Sequence, residues 1–341
     1  MNAFFRKITF GRAVRAEVWQ MIADLTGTGM ELGRALDLVA KTFASRSPGV
    51  RGVLLDLRKS LASDRFREVV RKYVPESEAL IFSKFGSVND ADLFRAAARI
   101  SRVEAEIQKA IVSAMVRPVF LLLIMVVLLF FLGKDFYPVL TLVAPMETWP
   151  DSWQLVAHMA IWVADNPFML FIYLLISYLI YKVVQRGYVG PFRKHLDKIP
   201  PFSLYRLSVG ATFTFVVLEN AAVGNAINSG LLRTLSKDAS LYGKSRIMAI
   251  AKHVSSMNIG AAAIEAGQNF PDPELNAVLE AYSEQKDWVD NFRKYAETWL
   301  QRLEAKVKAA VAVLNMILLI IAAAFIAVVG RTIFGIVNII N

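Results

Sequence analysis

Sixteen consecutive residues between Arg117 and Lys134 carry no charge: Pro118-Val-Phe-Leu-Leu-Leu-Ile-Met-Val-Val-Leu-Leu-Phe-Phe-Leu-Gly133. A helix needs about 20 apolar residues to cross the hydrocarbon core of a bilayer. Residues 110–133, 164–184 and 309–330 meet this requirement or come close to it. The sequence therefore predicts an integral membrane protein with three transmembrane helices.

Composition indicates that apolar and charged residues are separated along the chain. Hydrophobic residues make up 55% of the 341 residues, above the globular norm, yet 20% are charged, which is too many for a chain of membrane helices alone. Cysteine is absent, which excludes disulfides and thiolate metal sites, and the three histidines lie far apart. We expect no catalytic site, no metal and no cofactor.

The distribution of Lys and Arg predicts the orientation. Residues 1–117 hold 20 Lys and Arg against 13 Asp and Glu, residues 182–308 hold 17 against 12, and residues 134–163 hold only Lys134 against three acids. Positively charged loops are retained in the cytoplasm. The two basic blocks, 1–117 and 182–308, are expected in the cytoplasm together with the N-terminus. The C-terminus is expected outside.

Both blocks have the apolar spacing of helices, and neither has a strand-like alternation. The predicted fold class is all-α: a polytopic membrane protein with two homologous cytoplasmic helical bundles. The repeat is inferred from a shared order of features, namely Gly29 and Gly230 turns, each followed by a leucine-arginine segment, and later Pro75 and Pro271 after an aromatic residue. The predicted domains are a first bundle at 1–109, a short outer loop at 134–163, a second bundle at 185–308 and an outer tail at 331–341.

Two helices are expected to continue from a bundle into the membrane. Residues from Leu93 to Phe131 contain no clear helix stop, and neither do residues from Glu274 through Lys308 into the third span. In the outer loop, the stretch from Trp153 to Ala164 has a tryptophan towards each end, which predicts an interfacial helix with His158 as an ordinary helix residue.

Motifs for other function classes are incomplete. Gly243-Lys-Ser245 has the ending of a phosphate-binding loop, but Asp238 stands where its first glycine belongs. The acids of the second block lack the spacing of a cation loop, so we interpret them as a solvated helix face with caps. No run of basic residues with interleaved aromatics occurs, so nucleic acid is not an expected partner.

Within the spans, a few residues stand out. Arg117 and Pro118 stand where the uncharged run of the first span begins, close enough to the interface for the arginine side chain to reach it. Asn315 and the small residues Ala323 and Ala327 of the third span predict a packing face, either within the chain or between subunits.

From about Arg15 to Gly330 the chain resembles the type II secretion F-domain family, the inner-membrane platform proteins of type IV pilus and type II secretion machines. The features that carry the resemblance are the Gly29 and Gly230 turns, Tyr73-Val-Pro75 and Phe270-Pro271, Arg117-Pro118, and Trp162-Val-Ala-Asp165 before the second span. The chain lacks the glycine-rich turn and the proline common in the secretion branch, at residues 282–287 and 311–315. It is more similar to the shorter branch found with type IVb and conjugative thin pili.

The resemblance implies a non-enzymatic platform in the bacterial inner membrane. Its implied partners are a cytoplasmic hexameric ATPase, pilin or pseudopilin subunits, other inner-membrane assembly components, further copies of itself and the lipid bilayer. Glu274 to Gly330 is then expected to act as a lever in pilus assembly or protein transport. A transporter or channel subunit is the alternative, although no paired acidic residues line the spans. A membrane-bound enzyme or sensor would need a catalytic constellation that the sequence lacks.

Overall fold

The computed structural model describes residue 6 and residues 8–237, 239–285 and 287–340. The protein is 80% helical, and no strand is found in these residues. The all-α prediction is confirmed, and three helices are long and apolar enough to cross a membrane, in agreement with the three predicted spans.

The first polar block folds into short helices that lead to one long helix. They are α1 (Arg12–Gly27), α2 (Leu32–Thr42), α3 (Pro48–Leu61), α4 (Phe66–Tyr73), α5 (Glu76–Ala79), a 3₁₀ turn (Ile81–Lys84) and α6 (Asp90–Phe131). Helix α6 is 42 residues long and passes through Pro118 without ending there. The predicted continuous helix from Leu93 to Phe131 is confirmed.

The predicted outer loop is mostly helical. After α6 come a π-helical turn (Leu132–Phe136), α7 (Tyr137–Val143), a 3₁₀ turn (Met146–Thr148), α8 (Asp151–Asp165) and α9 (Pro167–Gly187). The first span therefore does not end at Gly133, because the π turn carries the helix on to Val143. Asn166, which is not helical, separates α8 from α9, so the second span begins at Pro167 rather than at residue 164.

The second polar block also forms short helices that precede one long helix. It forms α10 (Arg193–Leu196), α11 (Phe202–Ala222), α12 (Ser229–Ser236), α13 (Leu241–Ala251), α14 (Ile259–Glu265), α15 (Pro273–Ser283) and α16 (Trp288–Ile340). The expectation of one uninterrupted helix from Glu274 is wrong, because α15 ends at Ser283 and α16 begins at Trp288. A polar stretch lies between them, and the carbonyl of its Asp287 accepts the backbone N–H of Asn291, as at a helix start. The tail predicted at 331–341 is not separate from the third span, because α16 continues to Ile340. Asn341 lies outside the described residues.

The chain folds into two compact units. The polar unit comprises residues 1–110 and 186–305, and the apolar unit comprises residues 111–185 and 306–341. The two predicted bundles, 1–109 and 185–308, thus fall together in one unit. Their separation into two homologous domains stays a prediction.

The two polar blocks have a similar order of helices, but the predicted turn of the second block is misplaced. Helices α1 to α6 and α11 to α16 are each a run of six that ends in a long helix. Gly29 has φ +89° in the turn after α1, and Gly224 has φ +78° in the turn after α11, a conformation that glycine adopts most readily. Gly230 was predicted to form this turn, but it is the second residue of α12, where the side chain of Asn228 caps the helix. The glycine turn after α11 is therefore at Gly224 and not at Gly230.

Aromatic rings form the core of the first block. The ring of Trp19 lies 5.4 Å from that of Phe82 and 5.5 Å from that of Phe94, and Phe82 and Phe94 are 5.2 Å apart. All three side chains are fully buried. Since Phe94 belongs to α6, this cluster fixes the start of the long helix against the short ones.

In the apolar unit, helix α8 packs against the C-terminal end of the first span. Tyr137, Trp149, Ala157 and Ala160 form a buried cluster there. Gly133 makes the close approach possible, because a Cβ atom at this position would overlap the carbonyl oxygen of Ala160. The predicted helix at 153–164 is confirmed, with one face against the span, and His158 is one of its exposed residues.

We expect Gly133→Ala to destabilise the apolar unit by about 1–3 kcal/mol, as overpacking does. Gly330→Ala is the matched control, because a Cβ at Gly330 meets nothing within 4 Å and alanine favours a helix over glycine by about 1 kcal/mol. Thermal unfolding of the two variants in one detergent measures the difference. Equal melting temperatures would contradict the packing of α8 on Gly133.

Candidate functional site

Glu219 is an acidic residue in an otherwise apolar setting. It lies near the C-terminal end of α11, where residues 213–220 are all buried. Its own side chain is 1% exposed. A buried carboxylate is costly unless positive groups or hydrogen-bond donors surround it, so its neighbours decide its role.

Two arginines from the two long helices face this carboxylate. Arg99 of α6 donates from Nη1 to both oxygens of Glu219, at 3.4 and 3.3 Å. Arg293 of α16 places Nε 3.5 Å from Oε1 of Glu219 and also donates to Asp290 at 2.7 Å. We name Arg99, Glu219 and Arg293 the Glu219 junction.

The Glu219 junction joins the two halves of the polar unit. Arg99 and Glu219 are 120 residues apart in sequence, and α6 and α16 are the helices that continue into the first and third apolar spans. The buried carboxylate accepts hydrogen bonds from Arg99 and lies at ion-pair distance from Arg293, so it links three helices. The arrangement holds the parts of both long helices that lie in the polar unit to the same core helix.

Burial raises the pKa of Glu219 above its ordinary value of 4.5, although Arg99 and Arg293 oppose this shift. A carboxyl group whose pKa is raised by folding binds its proton more tightly in the folded state than in the unfolded state. Its contribution to stability is therefore fully present below the unfolded pKa and is lost as the pH rises through the folded pKa.

We expect Glu219→Gln to change the pH dependence of stability in a defined direction. The glutamine keeps the shape of the side chain but cannot ionise, so the melting temperature of the wild type should fall relative to the variant as the pH rises above 4.5, the ordinary value of the carboxyl pKa. Melting temperatures of both proteins across this range measure the effect. A difference that does not vary with pH would contradict it.

A second buried ion pair lies in the first block. Glu78 of α5 is fully buried and accepts hydrogen bonds from Nε of Arg15 at 2.9 Å and from Nε1 of Trp19 at 3.0 Å. Pro75 begins this turn, because its carbonyl accepts the N–H groups of Glu78 and Ala79. The predicted Pro75 thus positions a buried carboxylate.

Beside this ion pair lies an open cleft of about 940 Å³. Arg12, Arg15, Glu104 and Pro75 are among its lining residues. Arg12 lies 3.2 Å from Glu104, and Arg15 lies 3.7 Å from it. The charges of this cleft are therefore largely paired with one another.

The second block holds a third charged cluster. Asp197 accepts from Nε of Arg193 at 2.8 Å, from Nη2 of Arg246 at 3.2 Å and from the hydroxyl of Tyr242 at 3.1 Å. Burial and the charge of Asp197 raise the pKa of Tyr242 to about 12, so the hydroxyl is a donor at neutral pH. The cluster fixes the segment after α9 to helix α13.

The predicted Pro271 packs on the core helix. It lies between α14 and α15, and a Cβ at Gly210 of α11 would come within 2.8 Å of its carbonyl oxygen. The neighbouring Asp272 caps α15 and Pro273 is its first residue, as the sequence predicted for capping near these prolines. Gly29, Pro75, Gly230 and Pro271 do not meet in one site but mark separate connections and helix starts.

The predicted residues of the spans lie apart as well. Arg117 is exposed and Pro118 is buried within α6. Asn315 is partly buried, and its side-chain oxygen is shielded without a hydrogen-bond partner among the described residues. Ala323 and Ala327 are exposed, so their predicted packing face is not covered within the described chain.

The incomplete nucleotide motif is ordinary helix. Gly243 belongs to α13, where its N–H is capped by the hydroxyl of Ser240. Among the described residues, no three His, Asp or Glu side chains are arranged to hold a metal ion.

Sequence reasoning missed the Glu219 junction. A single acid inside the apolar run from Val209 to Ala222 was the available signal, because a buried charge needs a partner. Arg293 pairs with Asp290 on the helix surface and also reaches Glu219. No family model, no curated protein and no solved structure matches the chain.

Proposed function

We propose that this protein is an inner-membrane platform for assembly of a type IV pilus or of a related secretion filament. In this role it couples a cytoplasmic hexameric ATPase to the extraction of pilin subunits from the bilayer. The polar unit then lies in the cytoplasm with the N-terminus, and the C-terminus lies outside. The protein performs no chemistry itself.

The observation that carries the proposal is the continuity of two helices. Helix α6 runs from Asp90 in the polar unit to Phe131 in the first span, and α16 runs from Trp288 to Ile340 through the third. A continuous helix transmits rotation or tilt, whereas a flexible linker does not. Such a design suits a machine that converts a push on one side into movement within the membrane.

The Glu219 junction supports the same proposal. Both long helices are held to α11 by one carboxylate, so a force on the polar unit acts on both of them together. The matching order of helices in the two halves supports the view that the unit arose from two homologous bundles.

A deletion strain provides the direct test. We expect deletion of this chain to remove a surface filament, or the secretion of a protein set, while expression of the subunits continues. The tagged wild-type chain should restore assembly and co-purify with a hexameric ATPase. Unchanged filaments and unchanged secretion in the deletion strain would overturn the proposal.

Reconstitution separates the platform from a transporter. Purified protein in liposomes is expected to give no flux of ions or small solutes above that of empty liposomes. Selective flux that depends on Asn315, the polar residue of the third span, would favour the transporter instead.

A further inference from the structure

The segment that directly follows the second span exposes large apolar side chains. Helix α9 ends at Gly187, and Val189, Phe192 and Ile199 beyond it are between 51% and 70% exposed. Leu241 is 64% exposed and borders the same surface, because its Cδ1 lies 3.9 Å from the Cβ position of Gly187. We name these four apolar residues, together with the segment 188–199, the shelf.

The exposed charges of the shelf and its flank are all positive. Arg186, Lys194 and Lys198 are exposed. The one acid between residues 186 and 200 is Asp197, which is buried and lies between two arginines. A surface that combines apolar side chains with positive charge alone is typical of contact with anionic membranes.

The shelf is held rigidly by the third charged cluster. Arg193 is 1% exposed, and its guanidinium lies 4.1 Å from the ring centre of Tyr242 and 5.4 Å from that of Phe202. Its ion pair with Asp197 fixes the short helix α10, which carries Lys194 on its exposed side. The exposure of Phe192 next to this anchor is therefore a fixed feature and not that of a loose linker.

The chain connection places the shelf at the membrane surface. Phe192 follows the end of the span by five residues, which reach at most about 18 Å when fully extended. A soluble partner would have to compete with the lipid headgroups for this surface. The position and the charge together favour lipid over protein as the occupant.

We propose that the shelf inserts its apolar side chains into the headgroup layer of the bilayer and that Lys194 and Lys198 bind the phosphate groups of anionic lipids there. This site is independent of filament assembly, since it needs only that α9 crosses the membrane. It would set the depth and tilt of the second span through a rigid contact.

Spin labels test the shelf, because the chain has no cysteine and one introduced cysteine is labelled uniquely. Phe192→Cys is labelled in the full-length protein, in nanodiscs of phosphatidylcholine with or without phosphatidylglycerol. Leu38→Cys, at an exposed apolar position of α2, is the matched control. Relaxation by oxygen, which enters lipid, and by a water-soluble nickel chelate gives the depth of each label.

With phosphatidylglycerol, we expect the label at 192 to lie about 5–10 Å below the headgroup boundary and the label at 38 to remain in water. The depth at 192 should decrease in phosphatidylcholine alone, and Lys194→Gln combined with Lys198→Gln should remove the difference between the two lipids. A label at 192 as accessible to nickel as that at 38 would overturn the proposal. Shielding from both reagents would overturn it in favour of a protein partner, and equal depth in both lipids would overturn the role of the lysines.

Discussion

Glu219→Ala is expected to destabilise the polar unit by about 3 kcal/mol, because it leaves Arg99 and Arg293 facing a cavity instead of a carboxylate. Loss of one partner of a buried ion pair costs about 3–5 kcal/mol, and the lower end applies because both arginines are partly exposed. Denaturation followed by tryptophan fluorescence measures the loss, since Trp19 and Trp299 are buried in this unit.

Asp290→Ala provides the control for this variant. Asp290 also pairs with Arg293, at 2.7 Å, but its side chain is 74% exposed, so we expect a change of at most about 1 kcal/mol. Glu219→Gln should lie between the two variants, because it keeps the shape of the side chain. If Glu219→Ala were as stable as Asp290→Ala, the junction would not hold the long helices.

Insertion of Gly-Ser-Gly-Ser after Lys308 is expected to abolish filament assembly while membrane insertion continues. Each glycine in a helix costs about 1 kcal/mol relative to alanine, so the insert creates a flexible joint in α16. The site lies just beyond Ala305, where the polar unit ends. Filaments on the cell surface and protein in the membrane fraction are the two measurements.

Two further insertions serve as controls, one for the added length of α16 and one for the effect of an insertion elsewhere in the protein. Seven alanine-rich residues at the same place add about two helical turns and keep the helix rigid, so they should retain more assembly than the flexible insert. The same Gly-Ser-Gly-Ser in the exposed turn between α2 and α3 should leave assembly unchanged. Normal filaments with the flexible insert after Lys308 would refute the lever.

Long-range apolar pattern made the spans and long helices predictable. One helix into the first span was predicted correctly, because no helix stop follows Leu93 and an uncharged run follows Arg117. The same reasoning failed between Ser283 and Trp288, because a short polar break has no glycine or proline to mark it. The sequence predicts the turn at Gly230 rather than at Gly224, because Gly230 directly precedes the leucine-arginine segment.

The Glu219 junction could not be predicted in the same way. Its residues are separated by 120 and 74 positions, and nothing in the local pattern of Arg99 indicates a distant partner. The packing of α8 on Gly133 was also not visible in sequence, because a single glycine in an apolar helix does not reveal which backbone approaches it. Contacts of this kind depend on tertiary packing rather than on periodicity.

Hydrogen exchange of the full-length protein in nanodiscs tests the central claim most directly. The claim is that α6 and α16 each pass from the polar unit into a span as one helix. It predicts slow exchange without interruption from Arg102 to Lys109 and from Lys294 to Lys308, outside the protection that lipid gives. A stretch of fast-exchanging amides within either range would contradict it, because the polar unit would then be joined to that span by a flexible linker.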